Sequence, residues 1–460
     1  MADAHRWPPR RRGDLLAVLG VALAARLAVV AWAWSRFPPV EDGHYYDVLA
    51  QRLAQGLGYT WLWPDGAVTY AAHYPVGYPA LVAVAYRVLG AAPGIAMLLN
   101  AAIGAVAAGA AWWLATEDTA SRWRPLGAGL AVALHPALVA YTPALMTEGV
   151  AAALAVLAAA VALQARRQTR PWRWLVAAGV LAGIATLVRP QSILLAPVLG
   201  AFTVTVEGAW RERAIRAALV SAVALACVAP WTARNCLHMH RCALVSVNGG
   251  WNLLIGAQTT TGSWDELHVP PECAPVWDEA AKDACFEHAA REAIAAAPVA
   301  WLARAPAKLA TTFDYFGAAP WYLHASDAAA FGDDAKVALG TAETIASRLL
   351  LVAALVACAL AGGPYTGARR VLGAAGVVTA FLRHGWPAYL VLVVAAALLG
   401  RRAWARGPLA APFGACVIAL TALVHAVFFG AGRYGLAVVP FVALVPFVTG
   451  ATGAAPSRPS

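Results

Sequence analysis

Charge is scarce in this chain. Of 460 residues only 13% are Asp, Glu, Lys or Arg, and lysine occurs at three positions, Lys282, Lys308 and Lys336. Soluble domains carry about 25% charged residues, so a soluble enzyme, a disordered chain and a nucleic-acid-binding domain are all excluded. No acidic residue follows Glu343, which leaves the last part of the chain to scaffold, lipid contact and a few basic groups. There is no strong internal repeat, and none of the seven cysteines forms a CxxC pair. Apolar residues, in contrast, make up 61% of the sequence. That supplies twelve spans of about 20 residues each.

The first apolar run, Leu15 to Trp34, is too long for a signal-peptide core and lacks a clear cleavage site, so it reads as a retained span. Further runs lie near 95–115, 126–142, 148–165, 174–188, 191–206, 217–231, 344–362, 370–382, 386–400, 408–429 and 434–451. The formal charge of +10 is laid out as short basic clusters between these runs. One side holds Arg6, Arg10, Arg11 and Arg12, then Arg122 and Arg124, Arg166 to Arg173, Arg211 to Arg216, Arg369 and Arg370, and Arg401, Arg402 and Arg406. Short loops on the other side hold only Arg189, Arg383 and Arg433. Basic loops stay in the cytoplasm, so both termini are expected there. The expected organisation is a basic N-terminus (1–13), an N-terminal membrane module (14–231) with an outer loop at 35–94, a large outer loop (232–343), a C-terminal membrane module (344–451) and a tail (452–460).

Most acidic residues fall in the two outer segments, and so do four cysteines: Cys236, Cys242, Cys273 and Cys285. An exported loop favours disulfides, and short loops close readily. The spacing therefore predicts Cys236–Cys242 and Cys273–Cys285. A zinc site with His238 and His240 is the rival reading. Cys227, Cys358 and Cys416 lie in spans and read as small core residues.

Two carboxylates, Glu41 and Asp42, follow the first span directly, with His44, Tyr45 and Tyr46 behind them. A carboxylate at a membrane–water boundary acts as a general base when desolvation tunes its pKa. As solvated acids, the two would only cap the helix that follows, an interfacial helix expected over Asp47–Gln55. Another is expected near Ala80–Leu89, and an amphipathic one over Glu279–Ala296 with Asp283, Glu287 and Glu292 on a solvated face. Arg26 lies deep in the first span, where a charge needs a partner: Glu148, a ligand phosphate, or the interface by snorkelling. Asn248-Gly249-Gly250 reads as a turn. The stretch Thr311 to Gly317, with Trp321 and Tyr322, reads as an interfacial aromatic belt, with Lys308 nearby as a spare cation.

The segment 41–89 runs acid-acid-x-x-x-Tyr46, Gly56-Leu57-Gly58-Tyr59, then Pro75-Val76-Gly77-Tyr78-Pro79 and an apolar helix. It resembles the first outer loop of GT-C glycosyltransferases, in the group of protein O-mannosyltransferases and the bacterial transferase that adds aminoarabinose to lipid A (glycosyltransferase family 39-like). Tyr141 to Glu148, Thr186 to Pro190, Pro230 to Asn235 with Asn248 to Gly256, and His425 to Tyr434 resemble that group's later motifs in the same order. The resemblance implies an all-α polytopic membrane protein, a GT-C-like bundle of about twelve transmembrane helices with two large periplasmic segments. It implies transfer, with inversion, from a polyprenyl-phosphate sugar at the outer face of the cytoplasmic (inner) membrane. Carried over by residue, Asp42 matches the catalytic Asp and is preferred to Glu41 for its spacing to Tyr46. Many relatives carry a basic residue before the Pro of the later motif, where this chain has His73-Tyr74-Pro75, so that either His73 or another cation takes the basic role.

A single displacement needs one carboxylate base and cations for the leaving phosphate. Asp42 is the expected base. Glu41, His44, Tyr46, His73, Glu148, Arg189, Arg234 and Arg433 are the expected substrate-binding residues. Arg suits phosphate through its bidentate fork; as a lipid-headgroup anchor each Arg would have no catalytic part. Arg433 stands out as the only charge between Arg406 and the tail. No cofactor and no metal are expected. The expected partners are a lipid-linked sugar donor, a glycan, lipid or protein acceptor, and the bilayer, with no nucleic acid. A lipid-linked-sugar flippase or transporter, or an envelope polysaccharide polymerase or ligase, are the alternatives.

Overall fold

The computed structural model describes residues 9–116, 121–265, 267–314, 317–400, 404 and 409–449. The expectations on Arg6, Tyr315, Phe316, Arg401, Arg402, Arg406 and the 452–460 tail lie outside the described residues.

A bilayer offers no water to backbone N–H and C=O groups, so a spanning chain must satisfy them within helices. The apolar runs fold accordingly. The N-terminal set comprises α1 (Pro9–Ala33), α2 (Asp42–Ala54), α3 (Gly77–Leu89), α4 (Pro93–Ala115), α5 (Trp123–Ala133), α6 (Pro136–Ala140), α7 (Glu148–Arg166), α8 (Trp172–Val188), α9 (Leu195–Phe202) and α10 (Trp210–His238). Then come α11 (Gly249–Gln258), α12 (Glu279–Ala296), α13 (Pro298–Ala303), α14 (Ala305–Phe313) and α15 (Ala318–Ser326). The C-terminal set is α16 (Asp333–Leu360), α17 (Thr366–Ala380), α18 (Pro387–Ala397), α19 (Ala410–Val427) and α20 (Val439–Val448). One hairpin, β1 (Thr60–Leu62) against β2 (Val68–Tyr70), pairs antiparallel with Thr60 opposite Tyr70. Six described helices are long and apolar enough to cross a membrane: α4, α7, α10, α16, α19 and Arg11–Ala33 of α1. The chain is an all-α polytopic membrane protein. The other six apolar runs are helical but shorter or broken.

Small side chains let these helices approach closely. Along α7, Ala151, Ala152, Ala153, Ala155, Ala158, Ala159, Ala160, Ala162 and Ala165 are all buried, and α7 packs between α4 and α8. The two helix sets meet where α20 lies against α4 and α5. Gly77 marks a close approach near the site: a Cβ there would sit 2.5 Å from the Leu187 carbonyl carbon. Only glycine lets α3 press on the end of α8, which places Arg189 one residue further on.

Several boundaries differ from the sequence expectation, each for a local reason. The 126–142 run is two helices, because Pro136 disfavours helix at His135 and starts α6 at its own position. Helix α10 continues beyond residue 231 to His238. There the Asn235 amide donates to the Ala243 and Val245 carbonyls at 3.1 and 3.0 Å, and Cys236–Cys242 closes the turn. Helix α2 starts at Asp42, five residues before the expected Asp47, with a carboxylate in its first turn where the helix dipole favours one. Both expected disulfides are present, Cys236–Cys242 and Cys273–Cys285.

Arg26 meets none of its three expected partners. It is 1% exposed, and its guanidinium donates to Ala133 O at 2.9 Å, Ala22 O at 3.1 Å and Val132 O at 3.4 Å. The break after α5 frees the Val132 and Ala133 carbonyls, and Arg26 satisfies them from α1. Replacing Arg26 by Met is expected to cost about 1–3 kcal/mol for each carbonyl left unpaired. Thermal unfolding in detergent should show the loss, with ligand binding retained below the transition; an unchanged Tm would refute this role.

Candidate active site

The N-terminal ends of α2 and α7, the C-terminal end of α8 and the turn after α19 converge on one cavity of about 690 Å³. That size suits a small-molecule site. Asp42, His73, Glu148, Arg189 and Arg433 all line it. Distant sequence segments are thus brought to one place.

Glu41 turns the chain from α1 into α2 at φ 51°, ψ −134°, a backbone conformation non-glycine residues rarely adopt. The next residue is Asp42, so local strain sits beside that carboxylate. Asp42 Oδ2 pairs with Arg433 Nη2 at 2.9 Å, and its Oδ1 accepts from the Tyr74 hydroxyl at 3.3 Å. Burial and then the Asp42 charge push the Tyr74 hydroxyl up from its ordinary pKa, so Tyr74 stays protonated and donates.

Glu148 opens α7. Its Oε1 binds Arg189 Nη1 at 2.7 Å and lies 3.4 Å from Arg433 Nε, while Oε2 accepts from the Tyr141 hydroxyl at 3.2 Å. The Glu148 side chain is 3% exposed and that of Asp42 is 31% exposed. The difference separates their roles: Asp42 faces the cavity with free surface, and Glu148 is an enclosed counter-ion holding two guanidinium groups.

The two arginines differ as well. Arg189 also donates to Thr147 Oγ1 at 3.1 Å, and the Gln191 amide oxygen, turned toward it, accepts from Nε at 2.9 Å and Nη2 at 3.0 Å. Its fork is committed to the protein. Arg433 gives Nη2 to Asp42 and turns its enclosed Nε toward Glu148, yet its side chain keeps 24% exposure on the cavity, where the guanidinium charge faces an incoming anion. Both guanidinium groups lie over the Tyr434 ring, at 4.9 and 5.4 Å, and Tyr434 stacks on His425 at 4.2 Å.

His73 lines the cavity between Tyr74 and Trp251. Burial pulls its pKa below the ordinary value, with Glu279, Asp42 and Asp283 working upward against it. Tyr46 is buried and lines the cavity. Three expected residues lie elsewhere. Glu41 and His44 are exposed and do not line the cavity. Arg234 donates to Ala71 O at 2.8 Å and Tyr59 O at 3.0 Å, fastening the hairpin to α10. Lys308 is equally occupied, on the Ala426 and Val427 carbonyls that end α19.

Tyr74, Tyr141, Gln191 and Tyr434 belong to the site but were absent from the expected set. Tyr74, Tyr141 and Tyr434 fall inside motifs already singled out. Gln191 follows the Arg-Pro turn and carried no signal.

Fold and site together define a multi-pass membrane protein with a paired acid–arginine cluster at one end of its bundle. The resemblance to GT-C membrane glycosyltransferases is borne out by the family of dolichyl-phosphate-mannose-protein mannosyltransferases, whose model matches residues 73–233. That stretch carries His73, Glu148 and Arg189; Asp42 and Arg433 join them through the fold. No curated protein matches the chain. Among solved structures, the chain is similar to the archaeal oligosaccharyltransferase AglB from Archaeoglobus fulgidus in complex with an inhibitory peptide and a dolichol-phosphate: 14% identity over 95% of this chain and 50% of that one, TM-score 0.47. It is also similar to ArnT from Cupriavidus metallidurans bound to undecaprenyl phosphate, at 16% identity over 94% of this chain and 77% of that one, TM-score 0.41. The chain thus spans half the length of the oligosaccharyltransferase.

Proposed function

We propose that this protein is an inverting glycosyltransferase. It moves a sugar from a polyprenyl-phosphate donor to an acceptor hydroxyl at the outer face of the bacterial cytoplasmic membrane. The observation that carries this reading is the Asp42–Arg433–Glu148–Arg189 cluster on a single cavity. The match of residues 73–233 to the dolichyl-phosphate-mannose-protein mannosyltransferase family supports it.

In the proposed reaction the acceptor hydroxyl attacks the anomeric carbon and the bond to the phosphate oxygen breaks. Asp42 takes the hydroxyl proton, and Tyr74 orients its carboxylate by donating to Oδ1. The lipid phosphate leaves with the bonding electron pair, and Arg433 meets its growing charge with Arg189 behind it. Glu148 fixes both guanidinium groups. No metal is needed in this scheme, because the two arginines supply the positive charge and both carboxylates are already engaged with them.

The phosphate site can be tested without knowing the sugar. Arg433→Met is expected to weaken binding of undecaprenyl phosphate by about 10- to 100-fold, the loss of one charged hydrogen bond of roughly 1.5–3 kcal/mol. Binding to the purified protein in nanodiscs is the measurement. Equal affinity in wild type and variant would remove Arg433 from the phosphate site.

A further inference from the structure

Helix α12 lies outside the cavity, yet its acids reach both loops that wall it. Glu279 is the first residue of α12, after Asp278, which caps the helix by accepting from Ala281 N at 2.8 Å. Glu279 Oε2 accepts from the backbone N–H groups of Ala72 and His73 at 2.6 and 2.9 Å, and Oε1 accepts from the Trp61 indole at 2.6 Å. One carboxylate therefore binds the hairpin and the segment that leads to Tyr74. One turn on, Asp283 is 4% exposed. Its Oδ1 accepts from Trp251 N at 3.0 Å and its Oδ2 pairs with Arg241 at 3.0 Å. It thus occupies the N-terminal end of α11, where an anion would otherwise bind. A Cβ on Gly250 would overlap the Asp283 carbonyl, so α11 sits directly on α12. Cys285, two residues after Asp283, is tied to Cys273.

We propose that α12 is a strap that positions the active site: Glu279 seats the segment carrying His73 and Tyr74, and Asp283 seats the start of α11 carrying Trp251. The inference rests on the transferase reading above. The connection runs from Glu279 through the Ala72–His73 backbone to Tyr74, whose hydroxyl meets Asp42. The two walls meet where the His73 ring lies 5.3 Å from Trp251. Glu279 and Asp283 are positioning residues, since neither lines the cavity. Arg189 and Arg433 hang from α8 and the turn after α19, neither of which Glu279 touches, so the Glu279 contact sets the base side of the site.

Glu279→Gln is the test. A carboxylate accepts at both oxygens, whereas an amide accepts at one end and donates at the other. With its oxygen on the Ala72 and His73 N–H groups, the new NH2 faces the Trp61 N–H, donor against donor. The segment is expected to shift, with kcat falling about 10- to 100-fold, the scale of a 1 Å misplacement, while the KM for the lipid donor stays unchanged. Adding Trp61→Phe removes the opposing donor and is expected to recover most of the lost rate, which a merely unfolded variant would not do. Hydrogen exchange supplies a readout independent of turnover: protection at 71–75 should drop in Glu279→Gln and return in the double variant. Unchanged kcat and unchanged protection in Glu279→Gln, or no recovery in the double variant, would overturn the strap. Wild type that turns over no donor, with the exchange pattern as described, would overturn the transferase reading and leave the strap standing.

Discussion

Asp42→Asn is expected to lower kcat by about 10²–10⁴-fold, the usual contribution of a positioned general base. The amide keeps the shape of the carboxylate and can still accept from Tyr74, but it cannot take a proton. Affinity for undecaprenyl phosphate should hold or rise, because Arg433 loses a competing carboxylate. Single-turnover kinetics with a saturating donor separates the two effects. A variant as fast as wild type would place the base elsewhere. Glu148 would then be next, although its enclosure and its hold on two arginines argue against free exchange of a proton.

Replacing Glu148 should act on stability first. It is 3% exposed and holds Arg189 at 2.7 Å, with Arg433 beyond. Removing one partner of a buried ion pair leaves an uncompensated charge, at a cost of about 3–5 kcal/mol. Glu148→Ala also strands the Tyr141 hydroxyl, which donates to Oε2. Unfolding by detergent titration should show a loss of that order. Arg234→Ala, by contrast, should loosen the hairpin and leave the cavity charge intact. A Glu148→Ala protein within about 1 kcal/mol of wild type, the range of an exposed pair, would mean that the cluster is open to solvent.

Much of the site could be read from the sequence because charge is so rare in it. In a chain with 13% charged residues, an acid or arginine at the end of an apolar run stands out. Arg433 stands out this way, while Asp42 and Glu148, which pattern alone reads as helix-capping acids, take their roles from the family resemblance; the fold brings them together with Arg189. Arg234 met the same criterion and lies apart. Position along the chain says that a guanidinium is near the interface, and only packing says whether it meets a phosphate or a carbonyl. Arg26 shows the converse. Its depth announced a partner, but the partner is a pair of backbone carbonyls freed by a helix break. The acids of α12 were read as a solvated face, since periodicity gives a face and not what covers it. Asp283 proves to be buried against α11. The spans were legible as apolar runs, while their lengths were not. Pro136 divided one run, and a disulfide and the Asn235 amide extended another.

The transferase reading is tested most directly by sugar consumption with purified wild-type protein in nanodiscs. Polyprenyl-phosphate mannose, glucose, galactose and aminoarabinose would each be offered with an envelope extract as acceptor. The reading predicts that one donor is consumed, that polyprenyl phosphate is released, and that the product carries the sugar with inverted anomeric configuration. No consumption of any donor, together with movement of the lipid-linked sugar across the membrane, would contradict it and make the protein a transporter. Consumption with retained configuration would contradict the single displacement at Asp42.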